Sequence, residues 1–246
     1  MRKQLYFREE IFKHPERVWP EMGDIREFQM WFTKRYNGGP IHLELGMGRG
    51  DFLVAMATVH PDEFFIGVEI KEERVYYANK KAQELNLNNI LFLQIPAQTL
   101  PEYELPRVHH LYLMFSDPWP KLKHAKRRLT AESFLRLYRE LLADNGELTM
   151  KTDDDALYEF SLETLQENKW QVLEKNTKYL SKEDFQSQYE KKWLSMGKNV
   201  GYLRAKPLRG PQDVAGIFFR CLHMIVLGYT FTCFIYKTYG SKIFTF

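Results

Sequence analysis

The chain has 246 residues, of which 44% are hydrophobic and 27% are charged, so it can bury a sizeable core and does not have the composition of a disordered protein. Its net charge of +3 is too small to indicate a partner by itself. The only two cysteines, Cys221 and Cys233, lie in the last part of the chain, which excludes a disulfide framework for the rest. The N-terminus has no secretory pattern, and a cytoplasmic location is expected.

The predicted elements alternate between strands and helices. Residues 1–38 form an N-terminal segment that is polar with scattered aromatic residues and ends in a turn signal, NGGP. Strands are predicted at IHLEL (41–45), FFIGVEI (64–70), ILFLQI (90–95), HHLYLMF (109–115), NGELTMKT (145–152, with its turn), WQVLEK (170–175) and YLRAK (202–206). Helices are predicted at 51–60, from 71 to about Leu85, after an N-cap at Thr130, and at 156–168.

This order predicts βαβ units with right-handed crossovers. The expected fold is therefore α/β, a doubly wound and mostly parallel sheet with helices on both faces. In such sheets ligands bind outside the carboxyl ends of the strands. Functional residues are accordingly sought where the strands end.

The composition changes after YLRAK, and residues 207–246 are predicted to be an atypical apolar C-terminal extension. The run from Val214 to Tyr236 has about the length of a membrane span, but Arg220 and His223 interrupt it. A non-homologous extension is favoured over a packed helix, and a packed helix over a membrane anchor.

The first strand of the 39–206 region ends in ELGMGRG, which places Gly46, Gly48 and Gly50 before a helix. Such glycines permit a tight turn and close approach of a ligand to the backbone. Asp51 stands where the dinucleotide fingerprint requires glycine, so a dehydrogenase is disfavoured. The spacing fits a loop for S-adenosyl-L-methionine better, with a purely structural turn as the alternative.

Two acids accompany this loop. Glu69 ends the second strand about 20 residues after the glycines, where an acid can accept hydrogen bonds from both ribose hydroxyls of an adenosyl group. Glu44 lies within the first strand end, where a carboxylate among apolar residues needs a partner. The ammonium of the methionine moiety would be that partner. The alternative for Glu69 is a surface acid at the start of a helix.

The fourth strand ends in Asp117, within a loop stiffened by Pro118 and Pro120. Trp119 is expected to be a packing anchor rather than a stacking surface. A dense basic stretch follows, and at the rim of a site it suits contacts to phosphates. The alternative is a solvated surface. The stretch contains Lys121, Lys123, His124, Lys126, Arg127 and Arg128.

Five sequence blocks together resemble the bacterial tRNA (guanine-N7-)-methyltransferase family, namely ELGMGRG, GVEI, FSDPWPKLKHAKRRLT, KTDD and YEKKWLSMGK. The resemblance covers residues 35–206 and implies a class I methyltransferase fold in 39–206. It also implies methylation of guanine 46 in the variable loop of tRNA by S-adenosyl-L-methionine.

The resemblance further implies roles for individual residues. Glu44, Glu69 and Asp117 would contact the methyl donor, and Asp117 would also be the catalytic residue. The tRNA would be bound by Lys121, Asp153, the loop Lys123–Arg128 and the stretch Ser187, Gln188, Tyr189 and Glu190. Two positions depart from the family pattern: Pro96 replaces a polar residue beside the adenine, which leaves the Ala97 backbone or Gln98 for that contact, and Ser187 replaces Thr.

No metal is expected, and a monomer and a homodimer both remain open. The main alternative is a methyltransferase-fold RNA-binding protein with another base target or no activity, and Pro96 favours the loss of activity. Guanine N7 already carries a lone pair, so the transfer needs orientation more than a base. A carboxylate near N7 stabilises the positive charge that develops there. The division of roles between Asp117 and Asp153 stays open.

Overall fold

The computed structural model describes residues 2–13, 16–20, 24–179 and 195–209. The stretch 187–190 and the C-terminal extension from residue 210 lie outside the described residues. The chain divides into two units, 1–208 and 209–246, and every described helix and strand belongs to the first.

Helices and strands alternate along most of the first unit. The α-helices are α1 (Arg2–Lys13), α2 (Ile25–Thr33), α3 (Asp51–Val59), α4 (Glu72–Glu84), α5 (Glu132–Leu141) and α6 (Asp155–Glu167). The strands are β1 (Val18–Pro20), β2 (Ile41–Leu45), β3 (Phe64–Val68), β4 (Ile90–Gln94), β5 (Val108–Met114), β6 (Leu142–Thr152), β7 (Trp170–Asn176) and β8 (Gly201–Pro207). Two 3-10 segments, Ala97–Tyr103 and Leu122–Arg127, follow β4 and β5.

The strands form one sheet in the order β1-β4-β3-β2-β5-β6-β8-β7. Among the described strands only β8 runs antiparallel to its neighbours, β6 and β7. The chain winds outward from β2 through β3 to β4 and then returns to β5 on the other side of β2. The order therefore reverses between β2 and β5, and the crevice at their carboxyl ends is where such folds bind ligands.

Apolar side chains cover both faces of the sheet. The larger core includes Phe28 of α2 and Tyr138 of α5, both with no exposed surface. The smaller core on the other face includes Leu53 of α3 and Val75 of α4. Burial on both faces explains why the parallel strands are nearly continuous apolar runs rather than alternating ones.

The predicted fold class is confirmed, and each predicted strand and helix is present with its ends within a few residues. The patterns predict no element in residues 1–38, yet the structure has α1, β1 and α2 there. The predicted N-cap at Thr130 is wrong: Ala131 precedes α5, and the Thr130 hydroxyl lies 2.7 Å from the Ser161 hydroxyl in the interior. No helix among the described residues is long and apolar enough to cross a membrane.

Candidate active site

The loop after β2 lies flat on the neighbouring strand β3. The N–H groups of Gly46 and Met47 donate to the carbonyl of Val68 at 2.8 and 3.2 Å. Gly67 of β3 leaves room for this approach, because a Cβ at that position would be 2.2 Å from the Met47 sulfur. Because Gly67 has no side chain, the loop after β2 can pack directly against the backbone of β3.

Two glycines of the loop have different surroundings. Gly50, at φ +68°, precedes α3, and a Cβ there would be 2.8 Å from the Cβ of Ala78 on α4. Gly48, at φ +58°, has no described heavy atom within 4 Å of such a Cβ. Gly50 is thus needed for packing, whereas Gly48 borders open space that a ligand can enter.

Glu69 connects β3 to this loop. Its carboxylate accepts hydrogen bonds from the N–H of Gly48 at 3.2 Å, Ile70 at 2.9 Å and Lys71 at 3.0 Å. The guanidinium of Arg74 lies 3.2 Å away and forms an ion pair with the same carboxylate. Glu69 is only 5% exposed, so its orientation is fixed, and among the described residues Arg74, in the first turn of α4, is the cation paired with it.

Glu44 is the most unusual group of the site. Its side chain is 2% exposed, and its Oε2 atom has no hydrogen-bond partner among the described residues. Burial raises the pKa of the Glu44 carboxyl well above its ordinary value, and the Asp51 and Glu69 carboxylates raise this pKa further. The backbone N–H of Leu53 opposes the shift by bonding to the charged form. The charged form of this buried carboxyl is therefore favoured only if a cation or further donors pair with it.

The loop after β5 leaves the sheet through an uncommon backbone conformation. Phe115 and Trp119 have φ values of +54° and +45°, which bulky residues rarely adopt. The Phe115 N–H donates to the Lys151 carbonyl of β6 at 2.8 Å. Asp117, between these two residues, is exposed, and no described residue forms an ion pair or hydrogen bond with it. Strained backbone of this kind accumulates at functional sites.

The basic stretch folds back on the Asp117 loop. The Trp119 ring meets the His124 ring edge-on at 5.7 Å, and the Arg127 guanidinium lies 4.9 Å from its centroid. Lys121, Lys123 and Lys126 are exposed. The ring thus packs within its own loop.

Arg128 is placed differently from the other cations. Its side chain is 6% exposed and donates to the carbonyls of Pro118 at 3.0 Å and Trp119 at 3.2 Å. Its guanidinium also lies 4.4 Å from the centroid of the Phe160 ring. Direct contact with tRNA is predicted for every cation of the loop. The burial of Arg128 leaves the exposed cations as the candidates for that contact.

The end of β6 carries two acids with different tasks. Asp154 accepts from the Leu157 N–H at 2.7 Å and is the N-cap of α6. Asp153 is partly exposed, and the ammonium of Lys198 lies 3.7 Å from its carboxylate. Of the two, Asp153 is therefore the one available to a substrate.

The end of β4 is where the sequence departs from the pattern of the family that it resembles. Pro96 precedes the 3-10 segment, and its carbonyl accepts from the N–H and hydroxyl of Thr99 at 3.0 and 2.8 Å. Pro96 and Ala97 are partly exposed, and the Gln98 side chain is exposed. An adenine at this edge would therefore find the Gln98 amide and backbone groups.

The structure brings the glycine loop, Glu44, Glu69 and the β5 loop to one edge of the sheet. A Cβ at Gly46 would be 3.8 Å from a methyl of Leu129. The glycine loop and the residue that follows the basic stretch are therefore neighbours. Ser187, Gln188, Tyr189 and Glu190 lie outside the described residues. Within the described part of the chain, no three His, Cys, Asp or Glu residues are grouped as metal ligands would be.

Sequence reasoning missed the roles of Arg74, Arg128 and Lys198. The sequence predicts that every cation of the basic stretch is exposed. Arg128 differs because its side chain bonds to the carbonyls of Pro118 and Trp119 and packs on Phe160 of α6. Arg74 lies in the first turn of α4, five residues after Glu69. This spacing is visible in the sequence, but it does not by itself indicate an ion pair.

Comparison with known proteins places the chain in a family. Residues 38–203 match a family described as "Putative methyltransferase". The tRNA (guanine-N(7)-)-methyltransferase of Limosilactobacillus reuteri (strain DSM 20016) is 43% identical over 157 residues, which cover 63% of this chain and 72% of that protein. The enzyme of the same name from Streptococcus uberis is 39% identical over 163 residues, covering 66% and 76%.

Solved structures share the fold at low identity. The 16S rRNA methyltransferase KamB is 17% identical with a TM-score of 0.56, covering 75% of this chain and 93% of that one. The antibiotic-resistance methyltransferase Kmr is 20% identical with a TM-score of 0.53, covering 77% and 95%. The fold is thus that of class I methyltransferases, and the chain belongs to the tRNA (guanine-N(7)-)-methyltransferase family.

Proposed function

We propose that this protein transfers a methyl group from S-adenosyl-L-methionine to N7 of a guanine in tRNA, at position 46 of the variable loop. The observation that carries the proposal is the buried carboxylate of Glu44, whose Oε2 has no partner among the described residues. Glu44 lies at the end of β2, where this fold binds ligands, and the Asp51 and Glu69 carboxylates influence its pKa.

The residues present fit the methyl donor. Glu44 would hold the cationic methionine moiety, because Glu69 and Asp51 are already paired with Arg74 and Lys81, whereas Glu44 has no cation partner among the described residues. Open space beside Gly48 would admit the ligand to the backbone, and Glu69 would hold the ribose hydroxyls. Ile70 is 56% exposed next to Glu69 and offers apolar surface to the adenine, with Gln98 at its polar edge. When bound, S-adenosyl-L-methionine supplies an electrophilic methyl group.

The other strand ends would bind the nucleotide. Asp117 has no partner among the described residues, so its carboxylate can face a guanine whose N7 becomes positively charged. Asp153, one strand further, can accept from the N1–H and amino group of the base. Neither role requires proton removal from N7, and both require the base to be held in line with the methyl group.

The exposed cations Lys121, Lys123, Lys126 and Arg127 would bind tRNA phosphates beside the site. They follow Asp117 in the chain, and Arg127 packs against the Trp119 ring of its loop. The polynucleotide would thus be held by the segment that also carries the acid.

The test is incubation with a tRNA transcript and methyl-labelled S-adenosyl-L-methionine, followed by nucleoside analysis. We expect N7-methylguanosine with wild-type protein, and none with a matched transcript that has adenine at position 46. Asp117→Asn should retain tRNA binding but lose at least 100-fold in turnover. Label in another nucleoside, or in none, would favour the alternative of another base target or an inactive RNA-binding protein.

A further inference from the structure

Two neighbouring arginines of the basic stretch occupy opposite environments. Arg127 is exposed, and its guanidinium lies 4.9 Å from the centroid of the Trp119 ring. Arg128 is buried to 6% exposure behind the Asp117 loop. A phosphate of a bound tRNA can reach the first of these guanidinium groups, whereas the second is already enclosed.

Arg128 has two hydrogen-bond acceptors and one aromatic ring as partners inside the protein. Its Nε and one terminal nitrogen donate to the carbonyls of Pro118 and Trp119 at 3.0 and 3.2 Å. The face of the guanidinium lies 4.4 Å from the Phe160 ring of α6. No described carboxylate pairs with it, so this buried charge is stabilised by two carbonyl dipoles and one aromatic face. A planar donor fork suits two adjacent carbonyls better than an ammonium group does.

The sequence of the Asp117 loop limits the backbone hydrogen bonds that can order it. Pro118 and Pro120 have no N–H groups, and Phe115 and Trp119 are held at positive φ. The entrance of the loop is fixed by the hydrogen bond from Phe115 to Lys151. Its exit is fixed by the two carbonyls that Arg128 binds. Conformations with such strain persist only where the surroundings enforce them.

We propose that Arg128 is a positioning residue that orients Asp117 and binds no tRNA phosphate. The proposal rests on the proposed function, in which Asp117 faces the reacting base. Because Arg128 also follows the 3-10 segment Leu122–Arg127, the same side chain joins the tRNA-binding cations to the catalytic loop.

The adjacent arginines give a matched experiment, in which Arg127→Met and Arg128→Lys are compared under steady-state conditions. For Arg127→Met we expect KM for tRNA to rise, kcat to stay within twofold, and the log–log salt slope of tRNA binding to fall by about one unit. For Arg128→Lys, which keeps the charge but not the fork, we expect kcat to fall roughly 10- to 100-fold with KM and salt slope unchanged. Donor binding by calorimetry should match wild type in both variants.

Phe160→Leu is a second test, because this residue carries no charge and cannot bind phosphate. It should lower kcat in the same direction as Arg128→Lys while leaving the salt slope intact, and it covers the case in which an Arg128 variant fails to fold. The proposal is overturned if Arg128→Lys keeps kcat, or if Arg128→Met raises KM and flattens the salt dependence as Arg127→Met does.

A readout without activity separates this proposal from the proposed function. Hydrogen exchange of a peptide spanning 114–130 should become faster at Phe115 and Trp119 in Arg128→Lys, but not in Arg127→Met. Wild-type protein that makes no N7-methylguanosine would refute the proposed function alone. Unchanged exchange in Arg128→Lys would refute the ordering of the loop by Arg128, whatever the reaction.

Discussion

Glu44 shows how a single residue can be unfavourable for the fold and necessary for a site. Its carboxyl is buried among apolar strand residues with one oxygen unpartnered, and two nearby acids oppose its ionisation. A residue with these properties destabilises the ligand-free protein. A bound cation reverses the balance, because it pairs with the charged form.

We therefore predict that Glu44→Gln melts at a higher temperature than wild type when no ligand is present. Because the pKa of Glu44 in the folded protein is raised above its ordinary value of 4.5, wild type loses stability relative to the variant as pH rises from 4.5 to the folded pKa. Above that pKa the difference is constant. Thermal melts across this pH range measure it, and a variant that melts lower than wild type at neutral pH contradicts it.

The same variant should bind S-adenosyl-L-methionine about 10- to 100-fold more weakly, since a charge-assisted contact is worth roughly 1.5–3 kcal/mol. Below the raised pKa of Glu44, binding to wild type should release protons, and affinity should rise with pH. Calorimetry in two buffers with different ionisation enthalpies measures this release, which the variant should lack. Equal proton release in both proteins would assign the linkage to another group.

For single residues, the sequence predicts where a side chain lies in the fold better than it predicts whether that side chain is buried or what it contacts. Glu44, Glu69 and Asp117 could be located because they end strands, and the strands are strongly apolar. The different fates of Arg127 and Arg128 could not be predicted, because the burial of Arg128 depends on Phe160, which is distant in sequence. Asp154 could have been recognised as the N-cap of α6 from its place before the helix.

The glycine loop is the element in which fold and site are most closely joined. Gly50 packs against α4 and Gly48 faces open space, although both have positive φ. Substitution by alanine imposes similar backbone strain at each, roughly 1–2 kcal/mol. The two positions therefore separate what the loop does for the fold from what it does for a ligand.

We predict that Gly50→Ala lowers the melting temperature more than Gly48→Ala, because its Cβ would lie 2.8 Å from Ala78 and force α3 and α4 apart. The additional loss should be about 1–3 kcal/mol. Gly48→Ala should instead weaken donor binding by more than its effect on stability. Thermal melts and calorimetry of the two variants check this, and donor affinity that is unchanged in Gly48→Ala would show that the space beside Gly48 is not used.

At the scale of helices and strands, sequence patterns predict the elements that are formed by residues close together in the chain. The buried strands and the helices between them were predictable from apolar runs and turns. β1 was not, because three residues carry no pattern and the strand exists through pairing of Val18 with Phe92 of β4. α2 was available in principle, since Phe28 and Phe32 lie four residues apart on one face.

At the scale of the whole molecule, the sheet separates two kinds of contact. The strand ends of β2 and β3 carry the residues proposed for the donor, and those of β5 and β6 carry the acids proposed for the base. The reversal of strand order between β2 and β5 brings the two sets to one crevice. Family patterns could predict this arrangement, whereas the hydrogen bonds from Arg128 to the Pro118 and Trp119 carbonyls required the structure.

The last described residues define where the first unit ends. Pro207 of β8 pairs with Trp170 of β7, and the Leu208 N–H donates to the Lys169 carbonyl at 2.9 Å. The Leu208 carbonyl accepts from Arg139 of α5 at 2.7 Å. The family match ends earlier, at residue 203. These contacts hold the first unit's last residues, Pro207 and Leu208, to β7 and α5.

We predict that a chain truncated after Arg209 folds and retains methyltransferase activity within about twofold of the full-length protein. Truncation after Lys206 should also be active but less stable, because it removes two hydrogen bonds worth about 0.5–1.5 kcal/mol each and the pairing of Pro207. Thermal melts and the tRNA assay on both chains test the order. If the chain ending at Arg209 is unfolded or inactive, residues 210–246 are part of the catalytic unit, and if full-length protein alone pellets with membranes, they act as an anchor.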